Sequence, residues 1–416
     1  MKLCLVTAFP PSRAGLNEYG FHLACELRQD PVLSLTILAD ELSTPAEELD
    51  GFDVIRCWSF NSMSNPPRLL KRIRELRPDV VWFNLGFASF GDKPLPAFAG
   101  LGTPALTRMN GYYTHVTLHQ LMETVNLEDA GIRFPLLYKL AGSVATRMVL
   151  MSNSISVLMP AYRRTLREKY RGDYIHVRAH GIFSGTPEYP DFSRRNNPTQ
   201  RILAFGKWGT YKRLEQLIDA FHIVSQRMPD AKLIISGGNH PKAPGYVESI
   251  AEKYRGDDRI EFTGYVAEER IPELFGTATM VVMPYTSSAG ASGVAHLAAE
   301  YGVPMIASNI RDFRDLSEHE GLAILFFETG NTQDLADRMS YLLENPELQK
   351  DMAEMNFSAA LRMTMPSIIR QYLRTFDLHQ RAKALEPLSR FRRLPHWMPR
   401  RSSLVRALAP RTAPWL

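Results

Sequence analysis

Two lysines five positions apart, Lys207 and Lys212, stand in "FGKWGTYKRLEQLIDAF", where a run that reads as a strand turns into one that reads as a helix. In open α/β sheets ligands bind outside the carboxyl ends of the strands, and helix starts there offer unpaired N–H groups to anions. Two cations so placed suit an anion whose charge grows as a bond breaks. A diphosphate departing from a sugar is one such group, and fixed charge beside it favours the transition state over the bound ground state. The competing reading is a pair of solvated loop lysines.

Two further stretches count against that reading. "PPSRAGLNEYG" places Gly15 after the first apolar run and just before a helical pattern, where main-chain N–H groups can approach a ligand with no side chain in the way. "SSAGASGVAHLAAEYGVP" does the same with Gly290, Ser292 and Gly293. A glycine-rich loop alone is a weak signal; two of them, each at a strand end in a different half of the chain, are a stronger one.

The elements that must position these residues alternate between short apolar runs and helical patterns, the signature of β-α units feeding a parallel sheet. In the first half the expected strands are "KLCLVTAF", "LSLTILAD", "DVIRCW", "DVVWFNL" and "TPALTRM", with "ATRMVLMSN" as a late one. A polar stretch rich in Pro, Ser and Asn then marks a linker, with the boundary near Asn197. The alternation restarts with "RILAFGK", "AKLIISGG", "RIEFTGYV", "TMVVMPYT" and "PMIAS" as strands. The fold class expected is therefore α/β, with two Rossmann-like doubly wound domains facing a central cleft. Residues 1–196 form the first domain and 197–365 the second, followed by a C-terminal helical segment over 366–387 and a basic aromatic tail over 388–416.

Composition narrows the classes. The chain has 416 residues, 45% of them hydrophobic and 22% charged, the balance of a globular protein with real cores. Cys4, Cys25 and Cys57 form neither a C-x-x-C pair nor a metal-type spacing, which points to a reducing cytoplasm and to no zinc site. The net charge of +5 belongs to the tail: from Arg381 onward there are nine Lys/Arg and one Glu, leaving 40 basic against 43 acidic residues in the body. A body without a basic face argues against nucleic acid as a partner. A tail mixing arginines with Phe391, Trp397 and Trp415 suits an anionic membrane surface, giving a cytoplasmic protein that could be peripheral at the inner face of the plasma membrane.

The stretch from "RILAFGKWGTYKRLEQLIDAF" through "FTGYV" and "VVMPYTSS" to "YGVPMIAS" resembles the C-terminal half of the family-four retaining glycosyltransferases of the GT-B fold. "AFPPSRAGLNEYGFHLACEL" resembles that family's first glycine loop, and "HGIFSG" its turn ahead of the linker. The resemblance implies transfer of a hexose from a nucleotide-diphosphate sugar to a glycan or lipid-linked acceptor, with no metal and no cofactor. It places Lys207 and Lys212 on the diphosphate, the main chain of Tyr265 and Val266 at the nucleobase, and Ser292, Gly293 and Val294 at the phosphates and sugar. Gly15 and Leu16 would close from the first domain, with Asn110 at the place of the family's acceptor-side histidine.

Two departures stand out. The family's two glutamates would fall at Ala289 and Leu297, neither acidic, and Glu300, a helical turn beyond, is the candidate for the ribose. His115 and His119, at helical spacing, either supply an acceptor-side imidazole or are ordinary helix residues. A non-catalytic partner subunit and another GT-B enzyme, such as a nucleotide-sugar epimerase, are the alternatives to a transferase.

Overall fold

The computed structural model describes residues 1–391 except 13, 43–46, 48, 125–134, 173, 193–199, 241–242 and 288–289. The expected boundary at Asn197 and the tail from 392 onward lie outside the described residues. Met1–Ile369 form one compact unit holding two sheets, and Arg370–Leu416 form a second. The helix Met365–Phe391 runs from one into the other in sequence. Among the described residues no helix is long and apolar enough to cross a membrane.

The first lobe is built on β1 (Lys2–Val6), β2 (Ser34–Asp40), β3 (Val54–Trp58), β4 (Val80–Leu85), β5 (Tyr113–Leu118), β6 (Ser154–Val157) and β7 (Ile175–Val177). They pair in the order β3-β2-β1-β4-β5-β6-β7, every described pair parallel. The second lobe carries β8 (Arg201–Phe205), β9 (Lys232–Ser236), β10 (Ile260–Gly264), β11 (Met280–Met283), β12 (Met305–Ser308) and β13 (Ile324–Phe327), in the order β10-β9-β8-β11-β12-β13 and again all parallel. Parallel strands are covered by crossover helices on both faces, which is why "VVWFNL" and "MVVM" are buried at every position. Strand order reverses between β1 and β4 in one sheet and between β8 and β11 in the other. These switch points are where a doubly wound sheet leaves a crevice at its carboxyl edge.

Three expected elements are different. "TPALTRM" is a helix, Thr103–Met109, with proline in its first turn and helix-forming Ala, Leu, Arg and Met behind it. "ATRMVLMSN" is the end of the helix Pro135–Leu150 and the turn after it. "YTHVTL", expected as helix, is β5, where Val and Thr on a pleated surface outweigh the i, i+4 spacing of the two histidines.

Glycine shapes the ligand edge of the second sheet. β8, β9 and β10 end on Gly206, Gly237 and Gly264 with φ of 136°, 107° and 66°, a region that side chains rarely adopt. The Gly237 amide donates to the Gly264 carbonyl at 2.7 Å, and a Cβ at Gly237 would collide with the Gly206 carbonyl oxygen. The edge is therefore bare main chain. In the first lobe Gly20 plays a comparable part inside the helix Asn17–Arg28: a Cβ there would meet Thr7 Oγ1 at 2.7 Å, so its absence lets the helix lie directly on the end of β1.

Gly237→Ala combines a forbidden φ with a main-chain clash and is expected to lower unfolding free energy by roughly 2 kcal/mol or more. Urea unfolding of the purified variant beside Gly238→Ala, where a Cβ meets open space, measures it.

Candidate active site

Lys212 lies in a short 3-10 turn, Thr210–Lys212, between β8 and the helix Leu214–Arg227. The turn is pinned by Trp208, which is fully buried: its indole N–H donates to the Ser236 carbonyl at 3.0 Å, and its amide donates to the Gly238 carbonyl at 2.8 Å. The Lys212 ammonium sits over the rings of Tyr285, 4.7 Å from the centroid, and Trp208, 5.6 Å away. Among the described residues no carboxylate forms an ion pair with it. Burial first, and then the charge of Lys207, lower its pKa to about 8. Lys207 itself is exposed. A cation held by π faces without a counter-ion is poised for a ligand anion.

The helix Gly293–Glu300 begins beside it. A Cβ at Gly206 would meet Lys212 Nζ at 2.8 Å and Val294 Cγ2 at 3.6 Å, so lysine and helix start converge on the same bare strand end. The Ser292 hydroxyl accepts from the Ala295 amide at 3.3 Å and caps this helix. The Gly293 and Val294 amides thus remain the N–H groups that the helix itself cannot satisfy. Tyr265 follows β10 with its side chain 82% exposed, and Val266 is half-buried behind it.

Across the crevice the first lobe presents Gly15, with open space over its Cα, and Leu16, at φ 71° in the left-handed region just before the helix Asn17–Arg28. For leucine that conformation costs on the order of 1 kcal/mol, a strain of the kind that gathers at functional loops. His119 follows β5 at the ligand edge. Its Nε2–H donates to Asn84 Oδ1 at 2.6 Å, and Asn84 is oriented by its own Nδ2 donating to Thr7 Oγ1 at 3.1 Å. Burial lowers the His119 pKa to about 3, so the imidazole is neutral with Nδ1 left as acceptor. Gly290 of the second lobe comes against it: a Cβ there would lie 2.7 Å from the His119 carbonyl oxygen. Tyr19 packs edge-on to the His119 ring at 4.5 Å and donates to the His180 carbonyl at 3.0 Å, and the His180 ring lies 4.9 Å from that of His296 on the second lobe.

Two acceptor-side expectations move. Asn110 follows the helix Thr103–Met109 at the amino edge of β5, opposite the crevice, where it accepts from Arg74 at 2.6 Å and donates to the Leu106 carbonyl at 2.8 Å. His115 lies in mid-strand and fully buried, its Nδ1 2.7 Å from Ser154 Oγ, with burial holding its pKa well below the usual value; it is a core residue. Of the two histidines weighed in the sequence, His119 is the one at the crevice; the alternation of "YTHVTLH" marks the run as a strand with His119 just past its carboxyl end. Glu300 is buried near the His22–Glu268 pair that crosses the lobes at 3.4 Å, on the Tyr265 side. Burial raises its carboxyl to about 7 against the pull of the Phe183 and Ser184 amides, and its Oε2 has no hydrogen-bond partner among the described residues. Ala289 lies outside the described residues, and Leu297 packs against the second core.

Residues 186–358 match the family described as Glycosyl transferases group 1. The matched stretch takes in most of the second lobe, which is therefore similar to that family. The chain is 28% identical over 178 residues to an uncharacterized glycosyltransferase, YqgM, of Bacillus subtilis, covering 42% of this chain and 48% of that protein. It is 28% identical over 154 residues to alpha-D-kanosaminyltransferase of Streptomyces kanamyceticus, covering 37% and 39%. The matched stretch is therefore about half the length, or less, of these curated relatives. Among solved structures the fold matches sucrose-phosphate synthase from Thermosynechococcus elongatus with a TM-score of 0.72 at 15% identity, covering 92% of this chain and all of that one. It matches Anabaena HepE in complex with UDP with a TM-score of 0.68 at 17% identity, covering 90% and 99%. The two-lobed architecture is GT-B.

Within this matched stretch a buried histidine–glutamate pair backs the helix that starts at Gly293. His296 Nδ1–H donates to the Ser292 carbonyl at 2.8 Å, and Nε2 lies 2.9 Å from Glu320 Oε2, both side chains almost fully buried. Burial alone would lower the His296 pKa, but the Glu320 charge and the Ser292 carbonyl outweigh it and the net shift is upward. A group with a raised folded-state pKa stabilises below its unfolded value, and that contribution is lost as pH rises through the folded one. His296→Leu leaves the Glu320 carboxylate buried and unpaired, at an expected cost of roughly 3 kcal/mol, while His296→Leu with Glu320→Leu recovers most of it. Denaturant unfolding of the single and double variants reads both.

Proposed function

We propose that the protein is a glycosyltransferase that moves a hexose from a nucleoside-diphosphate sugar to a glycan or lipid-linked acceptor. The observation that carries this reading is the Lys212 ammonium, without a carboxylate partner among the described residues, beside a bare strand edge and a helix start. A diphosphate fits that setting: Lys212 and Lys207 bear its charge, the Gly293 and Val294 amides bind its oxygens, and Gly15 and Leu16 approach from the first lobe. As the bond to the sugar breaks, charge on the leaving diphosphate grows where these donors already point. Tyr265 and Val266 lie on the side for the nucleobase and Glu300 on that for the ribose. His119, neutral, offers its Nδ1 to a hydroxyl on the acceptor side.

The UDP and UDP-glucose complexes of HepE support a uridine nucleotide as donor. A neighbour with a TM-score of 0.59, WaaG, is a glycosyltransferase involved in lipopolysaccharide biosynthesis, which supports a surface-glycan acceptor. Two ammonium groups and a helix start neutralise the diphosphate in place of a metal ion, so no divalent cation is required in this scheme. Retention of anomeric configuration follows if the acceptor attacks from the face the diphosphate leaves, the departing phosphate taking its proton; the lysines and amides then position and neutralise. Ala289 and Leu297 favour a second reading, a non-catalytic partner subunit, which any turnover of a nucleotide sugar excludes.

A thermal-shift panel of UDP, GDP and ADP with their sugars is expected to show one preferred base, because a ligand that binds only the folded state raises its apparent stability. Lys212→Ala is expected to abolish that shift and to lower kcat/KM at least about 100-fold. No shift with any nucleotide would defeat the reading. Binding should also take up protons. With the free ammonium titrating at about 8 and held charged by the bound diphosphate, affinity falls as pH rises through that value, and calorimetry in buffers of different ionisation enthalpy measures the uptake.

A further inference from the structure

The outer face of the first lobe carries side chains that neither the core nor the crevice uses. The helices Pro94–Leu101, Thr103–Met109 and Pro135–Leu150 lie in the crossovers from β4 to β5 and from β5 to β6. Successive right-handed crossovers in one direction put their helices on the same side of a parallel sheet, and these three pack against one another. Their outward sides therefore make one surface. On it Leu95 is 73% exposed, Met109 71% and Leu140 62%, with Leu106, Val144 and Met151 exposed as well. Leu140, Val144 and, just past the helix end, Met151 fall at helical spacing along one side. The Arg108 guanidinium donates to the Met151 carbonyl at 2.6 Å and ties the ends of the second and third helices together. Single exposed apolar side chains are ordinary, but six on adjoining helices and the turn behind them call for a partner.

The charge of this surface has one sign. From Lys93 to Met122, and again from Ala130 to Arg167, the sequence contains no Asp or Glu. Lys93, Arg108, Lys139 and Arg147 are exposed there. The helix Asn65–Leu76, packed against the first two of these helices, adds exposed Lys71 and Arg74. Its one acid, Glu75, is paired with Arg72 at 2.7 Å, and Glu123, in the turn against the helix Pro135–Leu150, is paired with Lys169 at 3.3 Å. The near balance of charge over the whole body conceals this unevenness. Crossover helices run against the strands, so Leu95 and Leu140, early in theirs, lie toward the crevice edge of the sheet, and Met109 and Met151 toward the far edge.

We propose that this face seats the protein on an anionic lipid bilayer, the leucines and methionines entering between headgroups and acyl chains while the Lys and Arg side chains meet lipid phosphates. Nucleic acid would leave the apolar side chains without a partner. A second copy of the face, or the basic tail of this chain, would bring like charges together. The inference does not depend on Lys212 as the diphosphate site. It bears on that reading in one respect, since a membrane beside the crevice edge favours the lipid-linked of the two acceptors.

The test is flotation of the full chain with vesicles of phosphatidylcholine alone and of phosphatidylcholine with phosphatidylglycerol, at low and at high salt. Wild type is expected to float with the anionic vesicles, less at high salt, and little with the neutral ones. Leu140→Asp with Val144→Asp, both at exposed positions, should keep the urea unfolding midpoint of wild type and weaken vesicle binding at least about tenfold. Lys139→Glu with Arg147→Glu should weaken it comparably and flatten its dependence on salt. Arg392→Glu, Arg393→Glu, Arg400→Glu and Arg401→Glu together test the tail. Face variants that bind as wild type does, with the loss appearing only in the tail variant, would assign the membrane to the tail and overturn the proposal. Wild type that floats with neither vesicle would overturn it too, as would a dimer in solution that Leu140→Asp with Val144→Asp turns into a monomer. The thermal-shift response to nucleotides is read separately, so failure here and failure of the donor-site reading stay distinct.

Discussion

An ammonium group partly buried against aromatic rings, with no carboxylate paired to it among the described residues, is an unstable arrangement unless something else compensates. At Lys212 the partial compensation is aromatic: the faces of Tyr285 and Trp208 attract the cation without neutralising it. The cost shows in the lowered pKa, and it accounts for much of the surrounding structure. Trp208 has to be anchored through Ser236 and Gly238 to keep its ring in place, and the strands beneath have to end without side chains so that an anion can reach the nitrogen. A lysine paired with an acid would need none of this and would be of less use to a ligand, since the ligand would have to displace the acid first.

The second lobe alone does not complete the site. Tyr19 reaches from the first lobe to the His180 carbonyl, the His22 ring stacks on Phe183 at 4.1 Å while its Nε2 meets Glu268, and the His119 carbonyl touches the Gly290 loop. These contacts lie on different sides of the crevice and use different chemistry: a hydrogen bond, a ring stack with an imidazole–carboxylate contact, and a main-chain approach. Buried imidazoles recur along this seam, and their environments set them apart: burial and the repulsion of its neighbours hold the His180 pKa well below the ordinary value, whereas Glu320 pulls that of His296 upward against burial.

Five of the six described strands of the second lobe could be read directly from the chain, because each is a short apolar run closed by glycine, serine or proline; β13, followed by Glu328, was not among those expected. The two lysines were legible for the same reason: they follow a strand whose end is unambiguous. The first lobe was harder. "TPALTRM" and "ATRMVLMSN" are apolar enough for strands, and only the order of the finished sheet shows that the chain makes its fifth strand later, from residues whose two histidines suggest a helix. That shift moved the acceptor-side candidate from Asn110 and His115 to His119. The tie between Asp312 and the Gly290 amide, 22 positions earlier in the chain, could not be seen at all, since no local pattern records a contact between two loops at one sheet edge.

Three neighbouring strands that run into or end on glycine leave the carboxyl edge of this sheet a surface made of peptide groups. Substitution changes side chains and leaves the polypeptide backbone as it was, so drift in sequence cannot easily weaken or retune this part of the molecule; it can only break it. Variation in what the protein handles is thereby pushed outward, to the loops and helix starts whose side chains reach past the edge. A lineage built on this frame could exchange one cargo for another while the handle it is carried by stays the same.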